Sequence, residues 1–462
     1  MDYAMLSAPA GHLTMPSLLP GFVQDEVGAA TLPSGRDAIV FRGRLDDAHV
    51  ARTCACGRPM HVNGDAPVRL RHLPYGGALA VVVVRRPQLE CPGCGATRTP
   101  EVPFREPGHM ITSPLGEYAR DLLAQGGHTL REVGRICGIG KNVVKAIDMA
   151  RLLSAYAEGG GARLRRPERQ ARYLGIDEFK LHDGHRYATH VMDLETGYVL
   201  WVRHGKKKQV VHDFVDHVGP EWMAGVAAVA CDMNSDFCEG FLERCPHLRI
   251  VFDRFHAVKN LNDKVVSAVR KDEQARLREE GDEAAARSLK RSKYVLASSR
   301  GTLLRKDGEA AAGRVVRRGS ALFGTEDVRR RGGHVERHEA LIASNSLLFA
   351  LDLVKEQLDA AYRLRDERAM RLAVDDIVAV CEGTGDSHFH WFANLLSSHV
   401  DGIVSHARCA ISSGKVEGAN NRIKTIRRRG YGYPDDEYFF LKIIDSSRKR
   451  YVENPKSHRF SD

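Results

Sequence analysis

Nothing in this sequence is suited to crossing a bilayer. Of its 462 residues 43% are hydrophobic, yet no apolar run approaches the ~20 residues that a spanning helix needs. The apolar piece at residues 13–23 is broken by Pro16, Pro20 and Gly21 and carries no basic leader. A signal peptide is not expected there. Nor do the ten cysteines suggest a disulfide framework in a long chain without a secretory leader. The expectation is a cytoplasmic protein with no membrane partner.

An excess of acid is also missing. The chain carries 69 Lys and Arg against 59 Asp and Glu, for a net charge of +10 and a pI of about 9.1. The surplus is clustered in Lys206–Lys208, Arg329–Arg331 and Arg427–Arg429. Basic clusters favour a polyanionic partner.

The periodicity divides the chain into pieces. Residues 1–50 hold one good strand candidate at 38–42. Residues 51–108 hold two cysteine pairs on tight glycine turns, Cys54/Cys56 and Cys91/Cys94, joined by the β-branched run 81–84. Two facing thiolate knuckles are what tetrahedral zinc needs. The first pair is one residue short of the usual gap, so His61 or His72 could stand in for a thiolate. Residues 109–158 turn helical, with a capping box at Thr129 and Glu132 and a tight turn at Gly138-Ile139-Gly140. Helix, short turn and a later helix bearing Lys141 and Lys145 suggest a helix-turn-helix; an ordinary helical hairpin is the alternative. Residues 159–172 read as a linker.

From residue 173 to 262 the pattern is three strands in series, then helix, strand, helix, strand. That is the order of an α/β ribonuclease-H-like core. In it the first and fourth strands lie side by side, so Asp177 and Asp232 would meet at one sheet edge. Residues 263–410 read as an all-helical insertion whose stretch 301–333 is loop. The core would resume over 411–450, before a tail at 451–462.

Three acids stand out. Asp177 follows the apolar run Tyr173-Leu174-Gly175-Ile176, Asp232 closes Val226 to Cys231, and Glu417 opens a basic helix. Acids gathered at one place repel unless a cation lies between them. Two magnesium ions would answer that, and would drive in-line attack on a phosphodiester. Asp253 also ends a strand and competes with Asp232. His256 and Lys259 start the next helix, where they would either touch DNA or cap and cover the surface. Arg422, Lys424, Arg427, Arg428 and Arg429 would hold phosphates, and Lys206 lies in another basic cluster.

Several segments together are similar to the ISL-three insertion-sequence family, a branch of the DDE transposases. They are Leu18-Leu19-Pro20-Gly21, the two cysteine knuckles, Gly175-Ile176-Asp177-Glu178-Phe179 and Asp253-Arg254-Phe255-His256 with Lys259-Asn260-Leu261. Val416-Glu417-Gly418-Ala419-Asn420-Asn421-Arg422-Ile423-Lys424 and Arg428-Arg429-Gly430-Tyr431-Gly432-Tyr433 complete the set. The resemblance implies a zinc-binding module, a helix-turn-helix, and catalysis by Asp177, Asp232 and Glu417 with magnesium or manganese. Such an enzyme would bind terminal inverted repeats and target DNA, cut and join strands, and work at the bacterial nucleoid. A homodimer follows from the need to hold two ends. A DNA-binding regulator and a nuclease without strand transfer are the alternatives.

Overall fold

A computed structural model describes residues 5–6, 19–32, 35–161, 163–233, 235–320, 324–329 and 331–448. Leu18, Arg330 and the tail at 451–462 lie outside the described residues. The chain divides into two compact units, Met1–Arg165 with Lys424–Asp462, and Arg166–Ile423. No described helix is long and apolar enough to cross a membrane.

The first unit contains more strand than its sequence suggests. Asp37–Leu45 pairs with Phe22–Thr31 on one side and with Ala78–Arg85 on the other; Val68–Tyr75 completes that run. The earlier strand was hard to see because its middle is Gly28-Ala29-Ala30, which has little β preference without a partner. Three helices follow, Ser113–Gln125, Leu130–Cys137 and Lys141–Tyr156. Thr129 and Glu132 form the capping box as expected, and Gly138 turns the chain at φ 66°. Leu115, Leu123, Val133, Cys137, Val144 and Ile147 make their shared core.

The second unit is built on a mixed sheet of β1 (Tyr173–His182), β2 (Arg186–Asp193), β3 (Val199–His204), β4 (Ala228–Cys231) and β5 (Arg249–Phe252). Their spatial order is β3-β2-β1-β4-β5. β1 pairs antiparallel with β2 and parallel with β4, and β4 pairs parallel with β5. The first and fourth strands are therefore neighbours. They occupy the middle of the sheet, however, and Asp177 sits within β1 rather than at its end. β1 runs on to His182 because Phe179 and Leu181 continue the buried alternation.

Residues 263–410 are not all-helical. Residues expected to be loop form a helix, Arg300–Ala311, and a hairpin, Val315–Ser320 with Gly324–Arg329. Ser299 caps the helix by accepting from the Thr302 amide, and Val315, Val316 and Val328 supply β-branched residues to the hairpin. The helix expected to start at His256 starts at Arg254, and its ladder loosens to a π-type turn over Leu261–Val266.

Candidate active site and metal centre

Register brings the first two acids together. Tyr173 pairs with Ala228 and Gly175 with Ala230 across β1 and β4. Two residues further along both chains stand Asp177 and Asp232. Asp177 accepts from the Glu178 amide at 2.8 Å and from the Asn420 amide nitrogen at 2.6 Å. Burial, then the Glu178 charge, push its carboxyl up to about 6. Asp232 accepts from the Met233 amide at 2.6 Å, and its Oδ1 lies 3.1 Å from His256 Nδ1. Burial raises the Asp232 carboxyl, but the His256 ring more than offsets this and leaves it below its ordinary value. Burial likewise disfavours the imidazolium of His256, and Asp232 reverses that, so the ring binds its proton more tightly than usual.

Glu417 arrives on the helix Gly414–Arg429. That helix is pinned to β1 at two points. Val416 fills the place where a side chain at 175 would be: a Cβ on Gly175 would stand 2.5 Å from Val416 Cγ2. One turn on, Asn420 binds Asp177. Glu417 and Asn420 are three residues apart and share a helix face, so Glu417 is carried on the face that meets Asp177.

Asp253 is engaged differently. It is buried, and its Oδ2 accepts from the Ser413 amide at 2.7 Å, from Ser413 Oγ at 2.7 Å and from Ser412 Oγ at 3.2 Å. These bonds tie the end of β5 to the residues that start the Glu417 helix.

The sulfur site lies in the first unit. The Sγ atoms of Cys54, Cys56, Cys91 and Cys94 all lie within 4.8 Å of one another. The Cys54–Cys94 and Cys56–Cys91 separations are 3.6 Å each. A tetrahedron with 2.3 Å metal–sulfur bonds has edges of roughly 3.8 Å, so the set fits a metal ion. The short Cys-x-Cys knuckle is no obstacle, because Gly57 adopts φ 83° and the Cys54 amide still reaches the Arg58 carbonyl. Neither histidine replaces a thiolate. His72 is buried with Nδ1 at 2.8 Å from Thr112 Oγ1, and His61 stands outside the cluster. Among the described residues this is the one group of three or more candidate ligands that close. Asp177, Asp232 and Glu417 do not close to 4.8 Å; two of them are turned to Asn420 and His256 instead.

Comparison with known proteins gives the same direction. A family model described as a transposase, the ISL-three branch of the DDE type, matches residues 174–443. The chain belongs to the ISL-three transposase family. It is 29% identical over 389 residues to the transposase for insertion sequence element IS1001 of Bordetella parapertussis, covering 84% of this chain and 86% of that protein. It is 24% identical over 270 residues to the transposase for insertion sequence element IS1557 of Mycobacterium tuberculosis, 57% of each chain.

The family segment thus starts in β1 and runs through the Glu417 helix into the last described helix, Asp436–Arg448. The candidate DNA-contacting residues divide into three groups. Lys141, Lys259, Lys424, Arg428 and Arg429 are exposed. Lys145 is committed to Asp435 at 2.7 Å, Lys206 lies 4.2 Å over the Tyr187 ring, and His256 faces Asp232. Arg422 and Arg427 are half-buried. Nothing in the sequence alone marks Asn420 as a partner of Asp177, although it stands in the motif Val416–Lys424. Its spacing of three from Glu417 was the available signal.

Proposed function

We propose that this chain is a DNA transposase that cuts and joins strands at Asp177, Asp232 and Glu417. The observation that carries the reading is the tether of the Glu417 helix to Asp177 through Asn420, beside a second acid on the adjoining parallel strand. Strand order and pairing support a ribonuclease-H-like core formed by residues 173–262 and 411–450, with 263–410 inserted. Oxygen donors in this number suit hard divalent cations. When bound, magnesium or manganese supplies activation of the attacking oxygen and charge stabilisation for the leaving one. Asp177 and Asp232 approach from the sheet, and Glu417 from the helix. His256 holds Asp232 in place. Lys259, Arg422, Lys424 and Arg427–Arg429 supply positive charge for the phosphates.

In the other unit, zinc at the four cysteines would hold the module at 51–108. Residues 109–158 would act as a helix-turn-helix that reads the terminal inverted repeats, with 159–172 as linker. Residues 1–50 precede these modules and 451–462 follow the core. Two ends must be brought together for joining, so a homodimer on DNA in the bacterial cytoplasm, at the nucleoid, is the working form. The test uses DNA with the inverted repeats that bracket the gene. The purified protein should nick it only with magnesium or manganese, and should join a pre-cut end to a second duplex. Nicking without joining would make it a nuclease. End binding with no nicking, in either metal, would make it a regulator.

A further inference from the structure

We propose that Cys238 is an oxidation site which couples to Cys231 as a disulfide, and that this bond withdraws Asp232 and stops strand cleavage. The loss of cleavage rests on the strand-cleavage reading of Asp232; the bond itself does not.

Cys231 is the last residue of β4, and Cys238 is the fourth residue of the helix Ser235–Arg244. Their sulfurs lie 3.4 Å apart, and both are free thiols. The four sulfurs of the first unit are close because they fit one metal ion. That explanation fails here, since among the described residues no third metal-ligating group closes on this pair. A disulfide spans about 2.05 Å, so the sulfurs have only about 1.4 Å left to close. Access gives the two thiols different parts. Cys231 is buried, whereas Cys238 is half-buried, and oxidants attack the accessible thiol first. Hydrogen peroxide would convert the Cys238 thiol to a sulfenic acid and leave as water. The Cys231 sulfur would then attack the Cys238 sulfur, its proton leaving with the hydroxyl as a second water. A dithiol reverses the bond by exchange, taking the disulfide for itself.

The backbone on both sides of the pair is anchored. Cys231 pairs with Phe252 across β4 and β5. The helix is seated by Phe237 and Phe241, both fully buried, and by Gly240, where a Cβ would stand 3.0 Å from Val211 Cβ. Between these anchors the chain leaves β4 through Asp232 and Met233, so drawing the sulfurs together displaces that connection. Asp232 adjoins Cys231 directly. Its carboxylate is placed by the Met233 amide at 2.6 Å and by His256 at 3.1 Å, and neither contact survives a shift of about 1 Å in the chain between them.

The test uses the full chain, reduced with dithiothreitol, freed of it and treated with hydrogen peroxide. The tryptic peptide 209–244 holds both cysteines. It should become lighter by the two lost hydrogens and closed to alkylation. Cleavage of inverted-repeat DNA in magnesium should fall about a hundredfold, with binding to the ends unchanged, and dithiothreitol should restore it. Cys238→Ser should cleave at the wild-type rate when reduced and keep that rate after peroxide. An unlinked peptide after peroxide overturns the proposal, and so does linked protein that cleaves at the reduced rate. Equal loss of cleavage in Cys238→Ser places the damage elsewhere, at the four-cysteine site above all, and also overturns it. If the reduced wild type does not cleave, the active-site reading falls and the withdrawal of Asp232 with it, while the peptide mass still decides the bond.

Discussion

Two groups of carboxylates, one in each unit, are handled in opposite ways. In the first unit Asp148 is fully buried and accepts from Arg151 at 2.9 Å, from the Tyr438 hydroxyl at 2.7 Å and from Lys442 at 2.9 Å. Asp445 takes both outer nitrogens of Arg151 at 3.1 and 3.0 Å and the Tyr156 hydroxyl at 3.0 Å. Every charge there has its counter-charge, and the network locks Lys141–Tyr156 against Asp436–Arg448. In the second unit Asp177 is half-buried, and it meets Glu178 and Asp232 rather than a guanidinium. Only an amide binds its outer oxygen. Folding tolerates such an arrangement where the missing charge is to come from a bound cation. The first group is paired charge for charge, and in the second Asp177 is left with its carboxyl pushed up to about 6.

Neutralising one acid in each unit should separate these roles. Asp177→Asn should lower strand cleavage at least about a thousandfold, ~4 kcal/mol of barrier. Its melting temperature without divalent ions should stay level or rise, because a repelled charge has gone. Cleavage within tenfold of the wild type would remove Asp177 from the chemistry. Asp148→Ala should do the reverse on a comparable scale. It takes away the acid that Lys442 faces and leaves Arg151 to Asp445 alone, and losing one partner of a buried pair costs about 3–5 kcal/mol. Denaturant unfolding should show that loss. An Asp148→Ala protein as stable as the wild type would mean the network holds nothing.

Acid should act on the two units with opposite sign. Burial pushes His72 down to about 4, below its ordinary 6.5. Between those values the unfolded chain binds a proton that the folded one refuses. Stability owed to neutral His72 is therefore complete above about 6.5 and lost as pH falls towards 4. Asp177 is raised from 3.8 to about 6 by burial and by Glu178, with Asp232 adding to the rise and His256 opposing it. Here the folded state holds the proton, so stability falls as pH climbs from 3.8 to 6. Each slope is worth on the order of 2 kcal/mol across its window. Unfolding free energies from pH 4 to 7 should lose the rising slope in His72→Gln and the falling one in Asp177→Asn. Parallel curves for wild type and both variants would refute the assignment.

The second unit was the more legible from sequence, for a physical reason. Its central strands are apolar runs that end near carboxylates, and both signals are local. Asp177, Asp232 and Glu417 stand out because each breaks its own surroundings, and the pairing of β1 with β4 carries Asp177 and Asp232 on neighbouring strands. The first unit gave up its cysteines and capping box, which are also local. Its charge network was invisible, since Arg151 and Asp445 lie 294 positions apart and each alone reads as a surface charge. Asp253 shows the same limit. At the end of an apolar strand it competes with Asp232 on paper; only the bonds to Ser412 and Ser413 show it anchoring the next segment. The hairpin at Val315–Ser320 is hard to read from sequence because its arginines and acids mask the β-branched positions.

The smallest effect tests the tether itself. Asn420 gives Asp177 its one side-chain hydrogen bond, at 2.6 Å, and its own Oδ1 is buried without a partner. Asn420→Ala should free the Asp177 carboxylate to rotate and loosen the helix that carries Glu417. A misdirected but intact ligand set costs less than a missing ligand, so cleavage should fall about tenfold, ~1.4 kcal/mol. DNA-end affinity should stay unchanged, while the magnesium concentration giving half-maximal rate should rise. Asn420→Asp would set a charge against Asp177, and should slow the reaction further in low magnesium but recover as the ion is raised. A plain packing role for Asn420 would lower stability in both variants and leave the magnesium dependence where it was. That dependence is the measurement that decides whether the helix is positioned for the metal or merely packed against the sheet.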